Sequence, residues 1–168
     1  MIQVNILVDN MGHNQLSYCI TQLGNKLSDT RPDIDLIVFY NNIAKIASLP
    51  KFAMMQMVEA WGQRGITIAT SCSTARKMLT FPGAERRLLY VWDLEWLRGQ
   101  NRHYNMYAPI YQLPHVPLIA RSEIHHDAID NAFNVLDIKP IYLVEDFNEK
   151  QFLEVIDCER VDTSNCAA

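Results

Sequence analysis

Ile34-Asp35-Leu36-Ile37-Val38-Phe39-Tyr40 is apolar almost from end to end. A strand with one wet face alternates polar and apolar residues, whereas a strand covered on both faces does not. This run therefore predicts a parallel strand held between two layers of helix. Working outward, Arg31-Pro32-Asp33 stops a preceding helix, whose inner face is Leu16, Cys19, Ile20, Leu23 and Leu27 at three- and four-residue steps. Before that helix, residues 4–8 form a first strand, broken by Asp9-Asn10-Met11-Gly12.

On the other side, Ser48 and Pro50 read as a cap and a first-turn proline. They predict a helix that buries Met54, Met57, Val58 and Trp61 and ends at Gly62 and Gly65. A third strand follows over 66–70, and Ser71 or Ser73 caps a short helix reaching Leu79. Residues 88–92 make a fourth strand. Residues 98–115, with Tyr107, Pro109, Tyr111 and Pro114, read as a long irregular connection with one helical turn at most. A fifth strand spans 116–120, and Ser122 caps a helix with Ile124, Ala128, Ile129 and Phe133 inward. A sixth strand spans 141–144 and a last helix 148–156.

The expectation is a single Rossmann-like, three-layer α/β domain over residues 1–156, with a mostly parallel sheet of about six strands. Residues 157–168 are expected to be a flexible tail. The chain has 168 residues, 49% hydrophobic and 20% charged, which excludes a disordered chain or a disulfide-built miniprotein. The four widely spaced cysteines show no metal-ligand rhythm, and reduced thiols fit a cytoplasmic protein. The N-terminal residues lack the basic leader of a signal peptide, and no apolar run is long enough to span a membrane.

Charge is unevenly spread. Residues 1–121 carry twelve basic and eight acidic side chains, and residues 122–168 carry three and eleven. The basic excess is densest from Arg76 to Arg102, where aromatics also lie, but no nucleic-acid motif accompanies it and the net charge is −4. Nucleic acid is not an expected partner.

In parallel α/β sheets ligands bind beyond the carboxyl ends of the strands, so those ends hold the candidates. After the first strand there is only Gly12, not the GxGxxG that lets a backbone approach a pyrophosphate. His13 beside it is a candidate general base, or else an ordinary surface histidine. After the third strand, Ser71 and Ser73 offer hydroxyls to a ligand, although capping accounts for one of them. Cys72 reads as a small buried residue. After the fourth strand, Trp92-Asp93-Leu94-Glu95-Trp96 frames two carboxylates with two indoles. Either the indoles stack on a ligand ring while the acids accept its hydroxyls, or the indoles are core and the acids pair with Arg98 and Arg102. Further metal ligands are not near these acids in sequence, so no metal is expected. Arg121 after the fifth strand and Glu145 after the sixth complete the rim. Adjacent His125 and His126 point about 100° apart on a helix and do not make a zinc pair.

Three stretches carry a resemblance: Leu89-Tyr90-Val91-Trp92-Asp93-Leu94-Glu95-Trp96, Pro117-Leu118-Ile119-Ala120-Arg121-Ser122-Glu123 and Ile141-Tyr142-Leu143-Val144-Glu145-Asp146-Phe147. Taken in order they resemble the N-terminal, acceptor-side half of a GT-B glycosyltransferase, in the manner of short glycosyltransferase-like proteins of large tailed phages. The resemblance implies a sugar passed from a nucleotide donor to an acceptor, with His13 and Asp93 as catalytic candidates. Gly12, Ser71, Ser73, Trp92, Glu95, Arg121 and Glu145 would bind ligand. It implies no cofactor beyond a nucleotide sugar as substrate, and a host-cytoplasmic setting if the source is viral. Because the sequence resembles only one of two Rossmann-like halves, a partner chain or a dimer mate is expected to complete the cleft. The other expectation, from a different functional class, is a non-catalytic α/β module that contacts a host or virion protein, with the Tyr104–Tyr111 stretch and the acidic last third as its surfaces.

Overall fold

The computed structural model describes residues 1–98, 101–133 and 139–164, without the side chains of 101–103 and 161–164. Among the described residues seven strands run parallel in one sheet: β1 (Ile2–Met11), β2 (Ile34–Ile43), β3 (Ala53–Gln56), β4 (Gly65–Ala69), β5 (Ala84–Val91), β6 (Leu118–Ala120) and β7 (Ile141–Leu143). Their order across the sheet is β3-β2-β1-β4-β5-β6-β7. The helices are α1 (Gln15–Thr30), α2 (Cys72–Met78), α3 (Asn101–Tyr111), α4 (Glu123–Phe133) and α5 (Glu149–Ser164). This is the expected α/β fold.

Alternate residues of the same strands feed two cores. Val4, Ile6 and Val8 of β1 join Leu36, Val38, Ile66, Ile68 and Tyr90 under α1 and α5. Leu7, Ile37, Phe39, Leu89 and Val91 face the other way, beneath α2, α3 and α4. The run 34–40 thus supplies both cores at once, which is why it lacks alternation. Register follows from this: Val4 lies against Leu36 on one side and Ile66 on the other. The β1–β4 pair is entered at Gly65, whose φ of +83° and whose approach to Gln3 O, 2.3 Å from where a Cβ would stand, both require glycine.

The structure corrects several expectations. The helix foreseen after Pro50 is instead β3 and a 3-10 turn over Met57–Gly62. Met57 is buried as expected, but Val58 and Trp61 of the supposed inner stripe are 75% and 56% exposed. Second, β3 brings the strand count to seven. Third, much of the stretch read as an irregular connection is α3, with Pro109 inside it. Ala108, Ile110 and Tyr111 are buried, and Trp96 packs edge-on against Tyr111 and Phe133 at 4.6 and 4.8 Å. Fourth, α5 runs on to Ser164 rather than stopping near Ile156. Residues 165–168 of the expected tail lie outside the described residues. In α4, Ile129 points inward as foreseen while Ile124 is 78% exposed. Among the described residues no helix is long and apolar enough to cross a membrane.

Candidate functional site

Strand order reverses between β1 and β4. From β1 the chain builds toward β3, and from β4 it builds toward β7. The helices after these two strands leave on opposite faces, α1 into one core and α2 into the other. Their N-termini separate and leave a cleft at the carboxyl rim. Its volume is about 420 Å³, and Asp9, Asn10, Asn14, Ser71, Trp92, Asp93, Glu95 and Arg98 are in its lining.

Each side chain has an identifiable anchor. Ser71 caps α2 by accepting the Thr74 N–H at 3.1 Å, and Thr74 Oγ1 returns the bond by accepting the Ser71 N–H at 3.0 Å. Ser71 Oγ donates to Asp9 Oδ2 at 2.6 Å, which ties the end of β1 to the start of α2. The second Asp9 oxygen accepts Asn41 Nδ2 at 3.0 Å. Across the cleft, Glu95 Oε1 accepts the Cys72 N–H at 3.0 Å. The carboxylate therefore occupies the exposed amide end of α2, the position an incoming phosphate would otherwise take. Burial lifts the Glu95 carboxyl above its ordinary value; the Cys72 N–H opposes this, and Asp9 and Asp93 add to it. Cys72 itself is buried, and desolvation pushes its thiol up to about 12, which fits the reading of a small core residue rather than a nucleophile.

The two indoles of Trp92-Asp93-Leu94-Glu95-Trp96 have different fates. Trp96 is core. Trp92 is half-buried in the cleft wall, with the Arg121 guanidinium 3.8 Å from its ring centroid. Arg121 Nε donates to Asp146 Oδ1 at 2.6 Å. Asp93 pairs with Arg98. One indole and two acids of this motif thus line the cleft, one indole is core, and Asp93 has Arg98 as a partner.

Ser71, Trp92, Asp93 and Glu95 come together in the cleft lining. His13 is exposed beyond β1, and the lining includes Asn10 and Asn14 but not His13. Gly12 has little room for a Cβ, which would stand 3.2 Å from that of Ala44, and gives its N–H to Ser17 Oγ at 3.0 Å in the β1–α1 turn. Ser73 is exposed in the first turn of α2, and Glu145 is exposed after β7, with its N–H bonded to Gln151 Oε1 at 2.8 Å. Arg121 is not in the lining but lies over the Trp92 ring of the wall.

Asp9, Asn14 and Asn41 were not singled out from sequence. Their signal was positional: polar residues that follow an apolar run at the carboxyl end of a strand. Asn14 also caps α1 by accepting the Ser17 N–H at 2.8 Å.

The chemistry of the lining is one-sided. It offers three carboxylates, several amides, one indole and a guanidinium already engaged by a carboxylate. Such a surface accepts hydrogen bonds from hydroxyls or amines and repels phosphate. Among the described residues no group of three or more His, Cys, Asp or Glu is placed to hold a metal ion. No family model matches the chain, and no curated protein matches it.

Proposed function

We propose that the cleft binds the hydroxyls of a sugar acceptor and that the chain is the acceptor-side half of a glycosyltransferase. The observation that carries this reading is the Glu95 carboxylate on the Cys72 amide, with Asp9 and Asp93 beside it and the Trp92 ring in the wall. Sugar hydroxyls suit carboxylate and amide acceptors, and a pyranose face suits an indole. A nucleotide phosphate does not suit this floor, so the donor would be held by a second chain or a second copy that completes the cleft. Of the two catalytic candidates, Asp93 is the one in the lining, and in this reading it orients and deprotonates the acceptor hydroxyl. His13 remains a rim residue.

Calorimetric titration with methyl glycosides and with nucleoside diphosphates tests the reading. Methyl glycosides should bind, and Trp92→Ala and Asp93→Asn should each weaken them about tenfold, equivalent to ~1.4 kcal/mol. Nucleoside diphosphates should leave the cleft unoccupied. Diphosphate binding lost on Trp92→Ala, with no glycoside binding at all, would sink the acceptor reading. Where transfer from a nucleotide sugar is measured, Asp93→Asn should lower it further than it lowers glycoside affinity.

A further inference from the structure

The sheet ends on one side at β3. β2 engages the backbone along one side of this strand, Ile37 through Tyr40 against Ala53 through Gln56. Along the other side no strand pairs with it among the described residues. Edges of this kind are commonly guarded by a charge, a proline or a bulge within the strand. Ala53-Met54-Met55-Gln56 has none of these. Lys51, the nearest charge before it, is held to Asp29 of α1 at 2.7 Å. Ala53, Met55 and Gln56 are exposed, whereas β7 at the opposite edge has no exposed residue.

Apolar side chains accompany this edge. Met55 pairs with Phe39, which belongs to the core beneath α2. Just after the strand, Val58 and Trp61 stand largely in solvent, and Trp61 rests edge-on against Phe81 of that same core. Charge is nearly balanced here, since residues 41–63 carry only Lys45, Lys51 and Glu59. The strongly acidic stretch 122–168 instead supplies β7 at the opposite edge, with α4 and α5. Of the two edges, β3 is therefore the one along which two copies can meet without opposing their acidic segments.

We infer that a second copy of the chain covers this edge, its β3 pairing antiparallel with β3 about a two-fold axis normal to the sheet. Residues directly opposite in an antiparallel pair point to the same face, and a two-fold normal to the sheet keeps every residue on its own face. The axis therefore passes through a residue position and not between two. Met54 packs toward the core under α1, whereas Met55 is exposed. Met55 thus faces the partner's Met55, and Met54 lies opposite the partner's Gln56. One self-complementary contact then satisfies both edges and brings no charge into the ladder. β2 stands between β3 and β1, so the mate lies away from the cleft, and the inference is independent of the sugar reading.

Sedimentation equilibrium of the full chain over a concentration series is the test. The wild type should dimerise, and amide exchange within β3 should slow as the dimer forms. Met55→Lys and Met55→Glu, at a position open to solvent, each set like charges against one another on the axis. Each should weaken the dimer about a hundredfold. An equimolar mixture of the two variants should dimerise again, which a mere loss of fold would not allow. A wild type that stays monomeric throughout the series would overturn the inference. So would a dimer that withstands both substitutions, one whose exchange in β3 is unchanged, or a mixture of the variants that remains monomeric, since another face would then hold the copies together.

Discussion

Asp146 and Phe147 have φ of 43° and 62°, two consecutive non-glycine residues in the left-handed region. Such a turn persists only where its surroundings hold it. Tyr90 does much of this from β5. Its ring stacks on Phe147 with centroids 4.0 Å apart and planes 7° from parallel. Its hydroxyl accepts the Phe147 N–H at 3.2 Å and donates to Val144 O at 2.7 Å. The turn delivers the Asp146 carboxylate to Arg121, and Arg121 lies over Trp92. Asparagine tolerates positive φ at least as well as aspartate, and alanine does not. Asp146→Asn should therefore stay within ~0.5 kcal/mol of the wild type in urea unfolding, since an exposed ion pair contributes little. Asp146→Ala should cost about 1 kcal/mol more than Asp146→Asn; equal stabilities for the two variants would refute the strain. None of this was legible in sequence. The residues Glu145-Asp146-Phe147 read as a polar loop because neither the reversed φ nor the Tyr90 partner leaves a local signature. Likewise Trp92 and Trp96 sit four residues apart in one motif, and only packing sends one to the cleft and the other to the core.

Two elements were misread for one physical reason: partners distant in sequence outweighed local pattern. Residues 53–56 carry apolar spacing that suits a helix, but β2 offers a free edge, and pairing of Ile37 through Tyr40 with Ala53 through Gln56 satisfies the backbone of both. Pro109 and a run of Tyr, His and Asn argue against helix over 101–111, yet Ala108, Ile110 and Tyr111 gain burial against Trp96 and Phe133. The end of α3 has a further device. Lys139, 8% exposed, donates to Tyr111 O, and to Leu113 O at 3.0 Å, where the carbonyl end of a helix welcomes a cation. Burial still draws its ammonium down from 10.5 to about 8. Between those values the unfolded chain keeps a proton that the folded chain has released, so this site adds stability as pH rises from 8 toward 10.5, and its full cost is felt below pH 8. Lys139→Met removes the titration. Its unfolding free energy minus that of the wild type should fall across this window, and a difference independent of pH would contradict the burial cost.

At the scale of the whole molecule, one sheet supplies side chains to two cores, and neither helical layer has an apolar surface of its own to fall back on. The layers should therefore unfold together. Trp92 contacts Phe147 on the α1/α5 side, with centroids 6.3 Å apart, and Trp96 belongs to the opposite core. Variants keeping only Trp92 or only Trp96, the other tryptophans replaced by Phe, should give the same urea midpoint by fluorescence and by circular dichroism. Separate midpoints would mean that the layers are independent. The sequence by itself determined that the sheet is parallel and covered on both faces, because runs such as 34–40 leave no face for water. It also narrowed the α2 cap to Ser71 or Ser73, and the structure decides for Ser71, which satisfies Thr74 and is satisfied by it within one turn. Only the tertiary structure decided which strand ends meet. The contacts that make the cleft, Ser71 to Asp9 and Glu95 to Cys72, join residues 62 and 23 positions apart. Such pairings follow from strand order, and strand order is set by how two helical layers close over the sheet rather than by any local preference of the chain.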